Sequence, residues 1–399
     1  MTVTKPTLVQ ALSEDLIVEL TSRLVAIPTP NPPGQEKACA DFIIDTLQHW
    51  GVEVERVLEP DPERPQVVAW QRGDGNGPTV IINAHMDTVG AGRREDWRLP
   101  PFQVTRQGSR LYGRGACDMK GSLAINMAIM KTLREAEISF PGTLMFQAVM
   151  GEEMDEPGTR TLLQKGYTGD YAIVLEPTDL RIGPASRGVC WYKITLIGPA
   201  VHCGLAAPDA PDVMAPFATI ATALTEYHRR ISAQTHPLAP SPSCRITDIQ
   251  AGEAHNSTVG RCEFVIDRRM LPGETPEQIA AELQEILARH SHPAIETHLA
   301  FIEWNEPVET PLDSPLIDAL RHNIKTVGGR EPEIWGPPYG SDVRNFIYDA
   351  GIPTVNFGAG DYRVCHQPNE FVEVDDLMTC ARIVLGTVID LLQSNSDLG

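Results

Sequence analysis

The sequence predicts an α/β protein: a largely parallel sheet covered by helices, interrupted by a smaller ferredoxin-like α+β module. Three observations carry this prediction. Helical and extended apolar patterns alternate through the first part of the chain, the order changes to β-α-β-β-α-β between about residues 187 and 304, and helix–strand alternation then resumes.

Leu16, Leu20 and Leu24 recur at helical spacing, and Phe42, Ile43, Leu47 and Trp50 do so again. A glycine-rich turn at residues 73–77 precedes an apolar extended run over 79–84. An apolar helix follows over about 122–133, then strands over 143–150 and 171–175. Strands separated by helices imply parallel pairing with both faces covered. In the middle region the spacing predicts strand 189–197, helix 212–231, strands 244–250 and 261–268, helix 276–290 and strand 295–303. Thr275, Pro276 and Gln278 form a capping box with proline at the first helical position, which marks the start of that second helix. Helix 315–327 and strand 353–357 return to the earlier pattern. The expected organisation is a catalytic domain made of residues 1–186 and 304–399, with 187–303 inserted. There is no internal repeat and no low-complexity tract.

A chain of 399 residues with 42% hydrophobic composition has material for two cores. Lys and Arg number 33 against 53 Asp and Glu, a formal charge of −20, so no cationic surface is on offer for nucleic acid. No signal-like N-terminus and no membrane-length apolar stretch stand out, so the expectation is a soluble, cytoplasmic protein with no membrane partner. The eight cysteines show no C-x-x-C pair, which fits reduced thiols better than a disulfide framework or a zinc finger.

Histidines and carboxylates recur where strands are predicted to end. His85 and Asp87 lie two apart at the end of the 79–84 run, on one face, where a carboxylate can fix the imidazole tautomer. Asp118 precedes the apolar helix, Glu152 and Glu153 follow the 143–150 strand, Glu176 ends the 171–175 strand, and His366 comes shortly after 353–357. Ligands of parallel sheets bind beyond the carboxyl ends of strands, so these segments can converge. Clustered carboxylates repel one another unless cations neutralise them, which makes a pair of divalent metal ions the natural occupant. Imidazole with carboxylate and no thiolate favours zinc and permits cobalt or manganese. The run Gly113-Arg114-Gly115 is no dinucleotide fingerprint, because Asp118 stands where the third glycine belongs.

These residues resemble the M20-type metallopeptidases, the group of acetylornithine deacetylases, succinyl-diaminopimelate desuccinylases, aminoacylases and glutamate carboxypeptidases. The matching motifs are His85-Met86-Asp87, Gly115 to Gly121 around Asp118, Gly151-Glu152-Glu153, Glu176-Pro177, Gly198 to His202, Asp267-Arg268-Arg269 with Pro272-Gly273, Gly340-Ser341-Asp342, and His366. The resemblance implies a zinc-peptidase-like catalytic domain in which His85 and Glu176 hold one metal, Glu153 and His366 the other, and Asp118 bridges both. It implies further that Asp87 orients His85 and that Glu152 is the general base. The inserted module would be a lid and dimerisation domain, whose His202 donates to the oxyanion in the other subunit of a homodimer. Arg269, Asn256 and the Ser341 segment would contact a substrate bearing a carboxylate. Cys203, where serine is more usual, and Tyr339 depart from the family pattern and bear on the substrate.

The expected reaction is hydrolysis of the amide bond of an N-acyl amino acid, of deacetylase or desuccinylase type, by a metal-activated water with Glu152 as base. The alternatives are a dipeptidase or carboxypeptidase, a hydrolytic deaminase of a small carboxylated amine, or a noncatalytic binding protein on the same fold.

Overall fold

The computed structural model describes residues 4–207 and 210–394. Helix α1 (Lys5–Ala11) leads into α2 (Glu14–Val25), which Ser13 caps by accepting the Leu16 N–H, with Glu14 and Asp15 in the first turn where the helix dipole favours them. Then come α3 (Lys37–His49), β1 (Glu53–Val57), β2 (Gln66–Arg72), β3 (Thr79–His85), β4 (Thr105–Gln107) and β5 (Arg110–Tyr112). After these run α4 (Gly121–Ala136), β6 (Thr143–Val149), α5 (Pro157–Gln164) and β7 (Tyr171–Val174).

The middle of the chain supplies β8 (Ala185–Ser186), β9 (Gly188–Ile197), α6 (Met214–Ser232), β10 (Ser243–Ala251), β11 (Arg261–Met270), α7 (Pro276–His290), β12 (Glu296–Asn305) and β13 (Val308–Glu309). The last segment adds α8 (Pro315–Thr326), β14 (Thr354–Asn356), β15 (Phe371–Glu373) and α9 (Val374–Gln393). Contacts divide the chain into two units, one of Met1–Pro184, Thr310–Trp335 and Ser341–Gly399, the other of Ala185–Glu309 with Gly336–Gly340.

The first unit is built on a six-stranded sheet in the order β1-β2-β6-β3-β7-β14. β3 runs parallel to β6 and to β7, and β14 parallel to β7, while β1 and β2 form an antiparallel margin. The strands β3, β6 and β7 are buried along nearly their whole length, as a sheet covered on both faces requires. Helices α4 and α9 pack against β3 and β6, and α4 is buried from Gly121 through Met130. The carboxyl ends of β3, β6 and β7 therefore open at one edge of the sheet.

The second unit holds a four-stranded antiparallel sheet, β10-β11-β9-β12. Alternate residues Cys190, Tyr192, Ile194 and Leu196 of β9 are buried with Phe264 and Ile266 of β11, together with Ile220 and Leu224 of α6 and Leu283 of α7. The capping box at Thr275 and Gln278 is formed. This unit is wider than the 187–303 span expected from sequence, because β8 pairs with β13 and closes its base. Gly336–Gly340 join it too: a Cβ on Gly336 would lie 2.6 Å from the Leu238 carbonyl oxygen, and the Ser186 hydroxyl donates to the Tyr339 carbonyl at 3.4 Å. Among the described residues no helix is long and apolar enough to cross a membrane.

Candidate metal centre

The sheet of the first unit brings His85, Asp118, Glu152, Glu153, Glu176 and His366 together. His85 ends β3, the Glu152–Glu153 pair follows β6, and Glu176 follows β7, so three neighbouring parallel strands deliver the donors His85, Glu153 and Glu176, and Glu152 beside them, at their carboxyl ends. Asp118 and His366 arrive by a different device. The strand β5 pairs antiparallel with β15, Tyr112 opposite Phe371, so the chain leaving β5 runs beside the chain entering β15. Those two stretches carry Asp118 and His366.

Asp118 turns one carboxylate oxygen to each imidazole: Oδ1 lies 3.0 Å from His85 Nε2, and Oδ2 lies 3.2 Å from His366 Nε2. Glu153 Oε2 is 3.1 Å from His366 Nε2, and Glu176 Oε1 is 4.0 Å from His85 Nε2. Two donor groups result, His85–Asp118–Glu176 and Asp118–Glu153–His366, each with ligand atoms within 4.8 Å of one another. Glu152 Oε2 approaches His85 Nε2 to 3.9 Å and belongs to neither group.

The charges in this cluster strain against burial. Burial and the nearby Glu176 push the Glu152 carboxyl well above its ordinary 4.5, and burial with Asp118 does the same to Glu176. Burial alone would lower His85, but hydrogen bonds to Asp118 and Asp87 carry it well above 6.5. His366, hydrogen-bonded to Asp118 and Glu153, rises to about 10. Burial would raise Asp118, yet its two imidazole partners outweigh that and hold it below 3.8. The raised glutamates and imidazoles hold protons that offset the crowded negative charge, Asp118 staying ionised between its two imidazoles, and divalent cations would offset that charge without protons. Glu176 Oε1 is buried with no hydrogen-bond partner, an arrangement that a metal ligand explains and a structural carboxylate does not. The residues fit a pair of divalent ions.

Asp87 does more than the sequence suggested, and does it differently. His85 Nδ1–H donates to the Asp87 backbone carbonyl at 2.9 Å, while the Asp87 carboxylate lies 3.5 Å away. The carboxylate instead accepts the backbone N–H groups of Gly151, Glu152 and Glu153 at 3.1–3.2 Å, and the Asn31 side-chain amide at 2.8 Å. It thereby fixes the loop that carries Glu152 and Glu153.

The expected substrate contacts fare otherwise. Ser341 is fully buried and its hydroxyl donates to Asn356 at 2.9 Å, so it holds its own loop rather than offering a carboxylate contact. Both ends of the Arg269 guanidinium fork are engaged by Asp267 at 2.9 and 3.0 Å, an ion pair within β11. His202 and Asn256 are exposed neighbours in the second unit, where the Cys203 N–H donates to the Asn256 carbonyl at 2.9 Å.

Asn31 and Glu370, which grip this centre from behind, were not marked by any spacing signal. Asn31 reaches Asp87 across 56 positions and Glu370 reaches the Asp118 N–H across 252. Cys117 and Cys365, each next to a donor, face one another with sulfurs 3.7 Å apart and lie outside both donor groups.

The profile of peptidase family M20/M25/M40 matches residues 81–390. The chain is 28% identical over 407 residues to the N-formyl-4-amino-5-aminomethyl-2-methylpyrimidine deformylase of Bacillus subtilis, covering 94% of each chain. It is 28% identical over 399 residues to the acetylornithine deacetylase of Myxococcus xanthus, covering 97% of this chain and 98% of that one. Its fold matches that of the Bacillus subtilis YXEP protein, a dinuclear metal-binding peptidase of the M20 family, with a TM-score of 0.74 at 17% identity over 96% of this chain and 99% of that one. The chain therefore belongs to peptidase family M20/M25/M40, as a hydrolase of amide bonds with a metal-binding residue cluster.

Proposed function

We propose that this enzyme is a dinuclear metal-dependent deacylase that removes a small acyl group from an amine nitrogen, with Glu152 as general base. The observation that carries the reading is Asp118, whose two oxygens face two imidazoles and which is shared by two donor triads. His85 and Glu176 would hold one ion, Glu153 and His366 the other, and Asp118 both; zinc suits the donors, and cobalt or manganese can replace it. Bound there, the ions supply Lewis-acid polarisation and lower the pKa of water.

Glu152 sits beside the donors without joining them, its carboxylate 3.9 Å from the His85 imidazole, where a group that accepts a proton and returns it can reach the reacting atoms. It takes the proton of the attacking water and passes it to the nitrogen as the C–N bond breaks. Asp87 keeps Glu152 in place by binding its backbone N–H. His202 has the oxyanion-donor role that the family resemblance implies, acting in the second subunit of a homodimer. Mixing Glu152→Gln and His202→Ala homodimers under subunit exchange should restore about a quarter of wild-type activity by random pairing. Confirmed exchange without recovery would place His202 elsewhere.

Two substrate classes follow from two observations. An N-acyl amino acid suits the acetylornithine deacetylase relative and requires Arg269 to leave Asp267. An N-acylated amine without a carboxylate suits the deformylase relative and leaves the Arg269–Asp267 pair intact. A panel of N-acetyl and N-succinyl amino acids, N-formyl arylmethylamines, dipeptides and aryl amines decides between them. Release of ammonia from amines with no deacylation, or cleavage of dipeptides alone, would overturn the deacylase reading.

A further inference from the structure

Glu370 is fully buried, four residues beyond His366, and its carboxylate faces the Asp118 segment. One oxygen accepts two successive backbone N–H groups, Cys117 at 2.9 Å and Asp118 at 3.0 Å. The other accepts from the Arg114 guanidinium, itself 2% exposed and stacked 5.3 Å over the Trp97 ring. The Gly113 N–H also donates to the Glu370 carbonyl at 3.0 Å, which prolongs the β5–β15 pairing up to this point. These bonds join the strand exit that bears Asp118 to the strand entry that bears His366.

The two N–H groups need an acceptor for a local reason. Cys117 and Asp118 lie in the first turn after Gly115, whose left-handed backbone (φ 82°) starts the segment, and N–H groups of a first turn have no intrahelical acceptor ahead of them. Buried backbone N–H groups without a partner are costly, and here one carboxylate oxygen satisfies both. Burying that carboxylate would itself be costly without Arg114. The pair thus brings a charged acceptor to the back of a segment whose front is the Asp118 side chain.

We propose that Glu370 is a positioning residue that clasps the Asp118 segment to the His366 segment and so pre-forms the triad Asp118–Glu153–His366. The proposal rests on the reading of that triad as a metal site. Holding the backbone at Cys117 and Asp118 leaves the Asp118 carboxylate only its side-chain torsions, so its second oxygen stays turned toward His366. His85–Asp118–Glu176 depends less on the clasp, because His85 and Glu176 are held by β3 and the end of β7.

The test is calorimetric titration of Zn²⁺ into stripped protein, with thermal unfolding alongside. Wild type should take two ions per chain; uptake of fewer would overturn the metal-site reading and the clasp with it. In Glu370→Ala/Arg114→Met both members of the buried pair are removed, so no lone charge remains. One ion should bind as in wild type and the second at least about tenfold more weakly, the scale of losing an outer partner of a ligand. Glu370→Gln/Arg114→Met retains one acceptor oxygen for the two N–H groups and should recover the second ion to within about threefold. The clasp is overturned if the alanine variant binds both ions normally, or if both variants lose the second ion equally. Hydrogen exchange on unaltered, stripped protein gives an answer even if the variants do not fold. The Cys117 and Asp118 amides should exchange as slowly as those of α4, and fast exchange there would overturn the clasp.

Discussion

In the triad His85–Asp118–Glu176 every donor residue is buried, and two of the three are delivered by the neighbouring parallel strands β3 and β7. In Asp118–Glu153–His366 the His366 side chain is 53% exposed, its φ is +62°, and Glu153 sits in a loop anchored through Val89 N–H at 3.0 Å. The two triads share a carboxylate and differ in what holds them. Sheet pairing fixes the first, whereas loop hydrogen bonds centred on Asp87 and Glu370 fix the second. A site framed by strands should retain its ion longer, because release requires a donor to move against the core. A site framed by loops can open one residue at a time.

The largest effect should come from a residue that belongs to neither triad. Glu152→Gln removes the proton acceptor while keeping its shape, so kcat should fall about 10²- to 10⁴-fold with metal content unchanged. Metal analysis alongside kinetics checks both halves. Loss of an ion in this variant would move Glu152 into the buried triad and dissolve the distinction.

Next in size is the order in which ions leave. A chelator should strip wild type in two phases, with the faster phase belonging to the Asp118–Glu153–His366 ion. Glu153→Ala should abolish the fast phase and leave the slow one, and Glu176→Ala should do the reverse. A single phase in wild type, or equal effects of the two substitutions, would mean that the triads are not separable. Asp87→Asn sharpens the point from behind, because one amide oxygen cannot serve the N–H groups of Gly151, Glu152 and Glu153 as two carboxylate oxygens do. Affinity for the faster-leaving ion should drop about 10- to 100-fold, with a smaller change at the buried triad.

The same contrast explains what could be read from sequence. Donors fixed by the sheet announce themselves, since a buried strand followed by His85 or Glu176 places the donor at a strand end by periodicity alone. The inserted unit was legible for a similar reason, down to the Thr275 capping box. What depends on long-range loop contacts was not legible. Nothing local shows that the Asp87 carboxylate binds the Gly151–Glu153 amides rather than mainly His85, or that Ser341 turns inward to Asn356. The Arg269–Asp267 pair lies within one strand at i, i+2, on one face, whereas the family resemblance assigns Arg269 to a substrate carboxylate. The helix α9, buried along most of its length, lies in an apolar run whose core role only the packing on β3 and β6 reveals.

The smallest effect, and the one that touches both triads at once, is the pH dependence of stability with and without metal. In stripped protein Glu152 and Glu176 are raised above 4.5, so the folded chain holds more protons than the unfolded one as pH climbs from that value. Stability therefore falls through the window. His366, raised from 6.5 to about 10, contributes stability that is full below 6.5 and lost as pH approaches 10, and His85 acts in the same sense. Asp118, lowered, contributes stability that is lost only in acid, below its ordinary 3.8. From pH 5 to pH 9 the titrating groups thus pull the same way, and Tm of stripped protein should decline. Metal binding displaces those protons, so affinity and the Tm gain at fixed excess Zn²⁺ should increase with pH, and the two curves should diverge. His366→Ala then separates the triads. It should flatten the decline of the stripped protein between pH 6.5 and about 10, while the fall from Glu152 and Glu176 persists. Parallel curves with and without metal would show that these groups do not share a metal site, and an unchanged slope in His366→Ala would assign the proton linkage to the buried triad alone.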